Sequence, residues 1–420
     1  MSDDSNTTEA PTRREYLKYG GVVVGGGLLA GCMGNSGGDP QGDSDSNSTD
    51  GSTPTTGTAR TTGANETANS AETTPSETNN PTRRTASDSG SYSVRMAPMG
   101  EVTFEEVPKK WIAGTGDWAD MGVALGLDAP GALWLPERFN SYHYDELPGV
   151  SVDKSSITAL YSDGVDKEVF YELDADVHVF DPNFLANRFQ WEQADIDELR
   201  ANVAPYFGNT IFSREYPWHD YRYYSLYDAF GKLAEAFQRR ERYRELESVH
   251  EQLVGDVQSR LPPENQRPSV VVMYPQPVEQ PESFLPYPLG KGTTFAHMNT
   301  LGLRGAFGTD VNSFTNDRGE IDYETLLEID PDVLLLQGNE AKSAEEFRGS
   351  VVRYLKNQDV ASQLTAVENG DVYRAGGLYQ GPIINLFLIE RLGGNLYPER
   401  FGSETLFDRQ QVADIINGEI

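Results

Sequence analysis

The chain contains the same short motif twice, and this repeat constrains its fold more than any other feature. Residues Glu172–Asn183, ELDADVHVFDPN, align without gaps with Glu328–Asn339, EIDPDVLLLQGN. In both copies acidic residues precede a short apolar run, and turn-forming residues bound that run. This pattern predicts a buried strand at the same place in each of two repeated units.

A second repeated segment lies upstream of each predicted strand. The sequence WADMGVALGL, Trp118–Leu127, is similar to FAHMNTLGL, Phe295–Leu303. An apolar strand candidate precedes each segment, at Lys109–Gly114 and at Pro268–Tyr274. Strands that alternate with helices favour a mostly parallel sheet with helices on its faces. We therefore predict an α/β protein with two lobes, each built on its own sheet.

A long amphipathic helix is predicted between the two repeated units. Apolar residues recur every three or four positions, at Leu226, Phe230, Leu233, Phe237, Leu246, Val249, Leu253 and Val257. Pro262 and Pro263 end this pattern. Its second half, Arg240–Leu261, predicts about 20 residues of helix, which span roughly 30 Å. A helix of that length can connect two lobes.

The first 32 residues have the features of an export signal. The apolar run Val22–Gly31 is about half as long as the roughly 20 residues that a membrane-spanning helix needs. Arg13 and Arg14 precede it and are typical of a twin-arginine signal, which exports folded proteins. Leu29–Cys32, LAGC, resembles a lipobox, which predicts a lipid on Cys32 and anchoring at the extracellular face of the membrane. The alternative is a glycine-rich loop that holds an incidental cysteine.

The next segment, residues 33–91, consists mostly of Ser, Thr, Gly, Asn, Asp and Pro. Such a composition cannot bury enough apolar surface to offset the loss of chain entropy on folding. We therefore predict a disordered tether between the lipid anchor and the folded lobes.

The formal charge of the chain is −31, from 65 acidic and 34 basic residues. Acidity spread along the whole chain argues against nucleic acid as a partner, because phosphate binding needs a basic surface. It is typical of a halophilic protein, in which salt screens the self-repulsion; an ordinary acidic protein is the alternative. The sequence has neither a lysine-containing phosphate loop nor a His-Glu-x-x-His motif, and we predict no catalytic residue and no cofactor.

Together these features resemble the substrate-binding proteins of ABC importers, in the class for iron–siderophore complexes, vitamin B12 and zinc or manganese, in a haloarchaeal lipoprotein form. Leu326–Gly338, LLEIDPDVLLLQG, is similar to the strand signature of this class, and Val372–Glu399 is similar to its C-terminal segment. The resemblance implies α/β lobes at 92–238 and 263–420, a connecting helix at 239–262, and a ligand cleft between the lobes.

Ligands of open α/β sheets bind at the carboxyl ends of the strands. The predicted ligand residues there are Asp117, Trp118, Trp134 and Arg138 in the first lobe and Tyr274, Tyr287, Arg304, Phe307 and Tyr379 in the second. Aromatic faces and planar guanidinium groups suit a bulky anionic chelate. Core packing of the aromatic residues and solvation of the two arginines are the alternatives. The aromatic run within Tyr216–Tyr224 is interpreted as packing between the lobes.

The resemblance implies a monomeric receptor that delivers a ferric siderophore to the permease subunits of an ABC importer. Glu146 and Glu324 are the predicted permease-docking residues, one on each lobe. Cobalamin is the alternative ligand, and an exported hydrolase is the alternative from another class of protein. Direct zinc or manganese binding would need several histidines and carboxylates around one ion. Only His143, His219 and His297 are candidates, and we predict no metal site.

Overall fold

The computed structural model describes residues 90–161, 164–308 and 319–419. The predicted export signal, with Arg13, Arg14 and Cys32, and the predicted tether up to residue 89 lie outside the described residues. Within the described ranges, no helix combines the length and the apolar character that crossing a membrane requires.

The described chain alternates short strands with helices. The strands are β1 Tyr92–Met96, β2 Gly100–Phe104, β3 Trp111–Ala113, β4 Ala132–Leu133, β5 Thr158–Ala159, β6 Val177–Val179, β7 Ser269–Gln276, β8 Ser283–Pro286, β9 Arg304–Gly305, β10 Val333–Leu336 and β11 Val372–Arg374. The α-helices are α1 Gly116–Ala124, α2 Lys167–Leu173, α3 Pro182–Phe189, α4 Gln193–Asn202, α5 Leu226–Ala236, α6 Arg240–Arg260, α7 Ala296–Thr300, α8 Tyr323–Ile329, α9 Ala344–Phe347, α10 Arg353–Lys356, α11 Thr365–Asn369, α12 Pro382–Leu396 and α13 Arg409–Asn417. Short 3₁₀ turns include Pro136–Arg138, Ser141–Glu146 and Thr293–Phe295, and a π-helical turn covers Arg348–Val352.

Two separate sheets form the centres of two lobes. The first has the order β5-β4-β3-β6 and is parallel throughout. The second has the order β11-β10-β7-β8, and β9 also pairs with β7. Only the β7–β8 pairing in this second sheet is antiparallel. The predicted α/β fold with two mostly parallel sheets is confirmed.

The repeated motif builds the same local structure in both lobes. Asp174 follows α2 and Asp330 follows α8, each in the left-handed conformation, with φ of 44° and 39°. Two residues later, Asp176 accepts hydrogen bonds from the backbone N–H groups of Lys109 and Lys110 at 2.7 and 2.9 Å, just before β3. Asp332 likewise accepts from Ser269, the first residue of β7. The second aspartate of each motif therefore joins its strand to the neighbouring parallel strand.

The contribution of the repeated aspartate to stability can be tested at Asp332 in the second sheet. Replacing Asp332 with alanine removes bonds of 2.7 Å to both the N–H and the hydroxyl of Ser269. We expect the free energy of unfolding to fall by about 1 kcal/mol, since these bonds to a charged group are partly exposed to solvent. Urea denaturation measures the change. Glu328→Ala, at an exposed position of the same motif, is the control and should change the unfolding midpoint little.

The predicted connecting helix is α6, which has 21 residues. Leu246, Val249, Leu253 and Val257 form its buried stripe, as the apolar spacing predicts. The last helix, α13, departs from the predicted division of the chain at residue 263, because it contacts α6 and α1. Asn417 in α13 also donates a hydrogen bond to the carbonyl of Pro148 in the first lobe, at 3.2 Å. The C-terminal segment therefore returns to the first lobe.

Alternate residues of the second sheet face two different apolar cores. Val270 and Val272 of β7 belong to a core that also contains the first lobe and the buried stripe of α6. Val271 and Met273 face a smaller core on the opposite side of the sheet. This alternation is the expected result of a strand buried on both faces. One continuous core therefore supports both lobes at the point where they meet.

Candidate ligand-binding site between the lobes

The carboxyl ends of the two sheets face each other, and the loops that follow the strands touch. A Cβ atom on Gly116, at the start of α1, would lie 3.2 Å from the Cβ of Tyr379 in the second lobe. A Cβ atom on Gly377 would clash with the side-chain nitrogen of Asn140 in the first lobe. The structure therefore describes the two lobes in contact across the predicted cleft.

Aromatic side chains from both lobes form the centre of this contact. The ring of Tyr379 lies 5.1 Å from that of Phe212 and 6.1 Å from that of Trp134. Trp134 also packs edge-on against Phe184, at 4.9 Å. Tyr379 and Trp134 are only 1% and 3% exposed, and neither the Tyr379 hydroxyl nor Trp134 Nε1 has a hydrogen-bond partner among the described residues. Two buried donors at the contact thus have no acceptor among the described residues.

Asp117 adds a buried carboxylate next to these rings. Its Oδ1 accepts hydrogen bonds from the hydroxyl of Thr115 and from the N–H of Trp118. Its Oδ2 is buried and has no partner in the described part of the chain. Burial raises the pKa of Asp117 to about 6, although these hydrogen bonds act to lower it.

Arg138, Tyr274 and Tyr287 complete the group. Burial raises the pKa of both Tyr274 and Tyr379, while the nearby charge of Arg138 acts in the opposite direction on each. A Cβ atom on Gly338 would lie 2.9 Å from the ring of Tyr274, so the loop after β10 packs directly on this tyrosine. Tyr287 is buried, and it follows β8, which pairs with the carboxyl end of β7.

Three predicted ligand residues lie elsewhere. Trp118 is buried inside the first lobe and donates a hydrogen bond to the carbonyl of Asn209, at 3.3 Å. Arg304 starts β9 and pairs with the first residues of β7, at the amino end of the second sheet. Phe307 packs on the outer core of the second lobe. None of these three positions is at the contact between the lobes.

A polar cluster that the sequence did not predict joins the lobes beside the aromatic group. Glu340, after β10, forms an ion pair with Arg391 of α12 at 2.8 Å. Tyr142 of the first lobe donates a hydrogen bond to Glu340 at 2.9 Å, and the N–H of Gly376 donates to its other oxygen at 2.8 Å. Burial alone would raise the pKa of Glu340, but the charge of Arg391 and these hydrogen bonds lower it to about 2. The carboxylate is therefore ionised, buried and fully bonded.

Asp120 makes a second polar connection between the lobes. Its Oδ2 accepts hydrogen bonds from the N–H groups of Ile383 and Ile384, at 3.0 and 3.1 Å, in the first turn of α12. Its Oδ1 accepts from the hydroxyl of Tyr144 at 2.5 Å. Burial nevertheless raises the pKa of Asp120 to about 7, assisted by the charge of Asp117.

The raised pKa of Asp120 predicts a pH-dependent stability. Its ordinary pKa is 3.8 and its folded pKa is about 7, so its stabilising contribution is fully present below pH 3.8 and is lost as the pH rises through 7. Asparagine does not ionise, so we expect the free energy of unfolding of Asp120→Asn to fall less than that of the unmodified chain as the pH rises from 3.8 to 7. Urea denaturation at pH 5 and pH 8 measures this difference. Asp145→Asn, at an exposed position, should leave the slope unchanged; an unchanged slope in Asp120→Asn would contradict the prediction.

The three candidate metal-binding histidines lie apart from one another in the described interior. His143 stacks on Phe387 at 5.0 Å, and burial lowers its pKa to about 3. His219 lies between Tyr221 and Tyr223. His297 contacts the carbonyl of Ala375 at 2.8 Å and the side chain of Gln380 at 3.0 Å. No group of three or more His, Cys, Asp or Glu side chains in residues 90–161, 164–308 and 319–419 is arranged to hold a metal ion.

The predicted docking residues are both exposed. Glu146 ends a 3₁₀ turn of the first lobe and lies 3.6 Å from Arg409. Glu324 is in the first turn of α8 in the second lobe. Their role in docking stays a prediction.

The aromatic run within Tyr216–Tyr224 is less central to the lobe contact than expected. Trp218 stacks on Tyr216 at 5.0 Å, and both rings pack on Phe184 in the first lobe.

Comparison with known proteins agrees with this architecture. Residues 176–377, from β6 through α6 to the loop after β11, match the family model described as periplasmic binding protein. The Fe(3+)-citrate-binding protein YfmC of Bacillus subtilis is 24% identical over 280 residues, which cover 66% of this chain and 76% of YfmC. Slightly less than half of this chain, residues 176–377, therefore resembles the periplasmic binding proteins.

Two solved structures share the fold. The iron uptake substrate-binding protein PiuA of Streptococcus pneumoniae is 17% identical, with a TM-score of 0.51, over 74% of this chain and 100% of PiuA. The petrobactin-binding protein YclQ of Bacillus subtilis is 15% identical, with a TM-score of 0.51, over 73% of this chain and 99% of YclQ. The predicted two-lobed fold of ABC importer substrate-binding proteins is confirmed.

Proposed function

We propose that this chain is a lipid-anchored extracellular receptor that captures a ferric siderophore complex and passes it to the permease of an ABC importer. The observation that carries the proposal is the pair of buried donors at the lobe contact, the Tyr379 hydroxyl and Trp134 Nε1. A buried donor without an acceptor is costly, and a ligand rich in oxygen atoms would satisfy both groups.

The surroundings of these donors favour an anionic, partly aromatic ligand. Ferric chelates present carboxylate, hydroxamate or catecholate oxygens around a metal ion. Arg138 supplies planar donors for such oxygens, and the rings of Trp134, Phe212 and Tyr379 supply flat apolar contacts. The Fe(3+)-citrate-binding name of YfmC and the petrobactin-binding name of YclQ support the same ligand class.

Capture requires the lobes to separate, because the proposed contact residues are buried when the lobes touch. The continuous helix α6 and the return of α13 to the first lobe restrict this movement to a small rotation. The mechanism is binding and release, and it breaks no bond in the ligand. The lobes would close around the chelate and present their exposed surfaces, with Glu146 and Glu324, to the permease.

Ligand titration tests the proposal. Tryptophan fluorescence of the full chain in high salt should be quenched saturably by one of ferric citrate, a ferric trihydroxamate or a ferric catecholate. The matched controls are the gallium(III) complexes, which keep charge and shape without the optical absorption of iron, and the metal-free chelators. Saturable binding of cobalamin alone would identify cobalamin, the alternative ligand, as the substrate. Binding of zinc alone would reject the proposal that the ligand is a ferric chelate.

Export and anchoring have their own test in the native host. Cys32→Ser should move the protein from the membrane fraction to the medium, because the acyl chains have no attachment point. Replacing Arg13 and Arg14 together with lysine should instead retain the protein inside the cell. Immunoblots of medium, membrane and cytoplasm distinguish the two results. A Cys32→Ser protein that stays in the membrane fraction would contradict lipid anchoring at this residue.

A further inference from the structure

A groove separate from the cleft lies along the connecting helix α6. Its volume is about 530 Å³, within the range of about 300 to 1,000 Å³ that is usual for small-molecule sites. One wall is the face of α6 that includes Glu247 and Glu251. The loops around Arg214 and Lys291 also line the groove. None of the predicted cleft residues lines this groove.

The groove contains buried polar atoms that lack partners. Tyr227 and Thr293 both line it, and their buried hydroxyl groups have no hydrogen-bond partner in the described part of the chain. Thr293 is only 4% exposed. The ring of Tyr227 stacks at 4.2 Å on His250, another lining residue. A site that offers two such hydroxyl groups next to an aromatic ring is suited to a polar ligand.

Opposite charges are separated across the groove. Glu247 and Glu251 are one helical turn apart and so lie on the same face of α6. Arg214 and Lys291 belong to two loops that pack closely, since a Cβ atom on Gly292 would clash with the carbonyl oxygen of Phe212. The acidic lining residues Glu247 and Glu251 therefore lie on α6, and the basic lining residues Arg214 and Lys291 lie on the two loops, where Glu215 is a neighbouring carboxylate.

We propose that this groove binds a small zwitterion of amino-acid or dipeptide size. The ligand carboxylate lies toward Arg214 and Lys291, and its ammonium group lies toward Glu247 and Glu251. The hydroxyl groups of Tyr227 and Thr293 hydrogen-bond the polar atoms between these two ends. A ligand with only one of the two charges leaves one wall without a counter-charge, so both charges are required for tight binding.

The groove also lies beside the backbone connections between the lobes. The N–H of Thr293 donates to the carbonyl of Ile211 at 3.0 Å, and the N–H of Thr294 donates to that of Phe212 at 3.4 Å. The proposed zwitterion thus occupies the side of the molecule where α6 and these backbone bonds hold the lobes together. This position is independent of the ferric chelate proposed for the cleft.

Isothermal titration calorimetry of the full chain with L-alanyl-L-alanine tests the proposal. We expect saturable binding with a dissociation constant of about 1 mM or lower, and no binding of N-acetyl-L-alanyl-L-alanine amide, which lacks both charges. Glu251→Gln and Lys291→Gln should each weaken binding by about tenfold or more, corresponding to loss of one charge contact. Glu245→Gln, on an exposed position of α6 outside the groove, is the matched control and should leave the affinity unchanged.

Circular dichroism and urea denaturation of the same variants distinguish loss of the binding site from loss of the folded structure. Each variant should keep the far-ultraviolet circular dichroism spectrum and the urea midpoint of the unmodified chain. Absence of dipeptide binding, equal binding of the uncharged analogue, or unchanged affinity in both Glu251→Gln and Lys291→Gln would overturn the proposal. Loss of affinity in Glu245→Gln equal to that in Glu251→Gln would also overturn it, because the effect would then come from the net charge of the helix.

Discussion

Replacing Arg391 with methionine is expected to lower the free energy of unfolding by about 3 to 5 kcal/mol, because it removes the ion-pair partner of the buried Glu340 carboxylate and leaves only the more distant charge of Arg374. The side chain of Glu340 is 5% exposed, and Arg391 lies 2.8 Å from it. The hydrogen bonds from Tyr142 and Gly376 remain in the variant, but they do not replace a full positive charge. Urea denaturation at pH 7 measures the loss.

The pH dependence of this variant follows from Glu340. In the unmodified chain the pKa of this carboxyl is lowered from its ordinary value of 4.5 to about 2, so its stabilising contribution is present above pH 4.5 and is lost as the pH falls toward 2. The difference in unfolding free energy between Arg391→Met and the unmodified chain should therefore be much smaller at pH 3 than at pH 7. Arg391→Lys keeps the charge, so its free energy of unfolding at pH 7 should fall less than that of Arg391→Met.

Adding Glu340→Gln to Arg391→Met removes the buried charge and should restore part of the lost free energy of unfolding. Equal stability of Arg391→Met and the unmodified chain at pH 7 would contradict the prediction.

The repeated motif made the fold predictable from the sequence. Its second aspartate accepts a hydrogen bond from the backbone at the start of the neighbouring strand in both lobes, through Asp176 just before β3 and through Asp332 at the first residue of β7. This requirement is local to each lobe, so the same residues recur in the same order. The stripe on α6 was equally local, since a period of 3.6 residues defines a buried face without reference to any partner. The return of α13 to the first lobe had no such local signal.

The site was predictable where topology alone determines position. Residues in the loops after parallel strands lie at the carboxyl edge of the sheet, and the structure places Asp117, Trp134 and Tyr379 at or beside the contact between the lobes; their role in ligand binding stays a prediction. Arg304 follows a helix, and a helix that begins at the carboxyl edge of a sheet returns the chain to the amino edge. Its position after α7 was therefore the signal that should have excluded it. Trp118 shares a helix turn with Asp117 but points into the lobe, because successive helical residues differ by about 100° in direction.

The polar cluster of Tyr142, Glu340 and Arg391 had no signal that sequence reasoning could use. Its members come from both lobes and lie far apart along the chain. A buried ion pair depends on geometry and desolvation, which composition and spacing do not encode. In a chain with 65 acidic residues, a single buried carboxylate such as Glu340 is also hard to distinguish from the solvated ones. The structure identifies it by its burial and by its three contacting groups, Arg391, the Tyr142 hydroxyl and the Gly376 N–H.

Replacing Tyr379 with alanine is expected to weaken binding of the proposed ferric chelate by about 30- to 1,000-fold, because a central aromatic anchor contributes about 2 to 4 kcal/mol. Tyr379 contacts Phe212 and Trp134 and is the second-lobe ring at the centre of the lobe contact. Tyr379→Phe keeps the ring and removes only the hydroxyl donor, so it should cost about 1 kcal/mol of binding free energy, or roughly fivefold. The fluorescence titration with the preferred ferric complex measures both affinities.

The matched control is Tyr171→Ala, the same substitution at the tyrosine of α2 that is 40% exposed. It should leave the affinity for the ferric complex unchanged, because α2 is not part of the lobe contact. Urea midpoints of all three variants separate a lost contact from a lost fold, since Tyr379 is also buried in the unliganded arrangement. If Tyr379→Ala stays folded and binds the ferric complex as tightly as the unmodified chain, the ligand does not sit between the lobes at this ring, and the chelate proposal for the cleft is wrong.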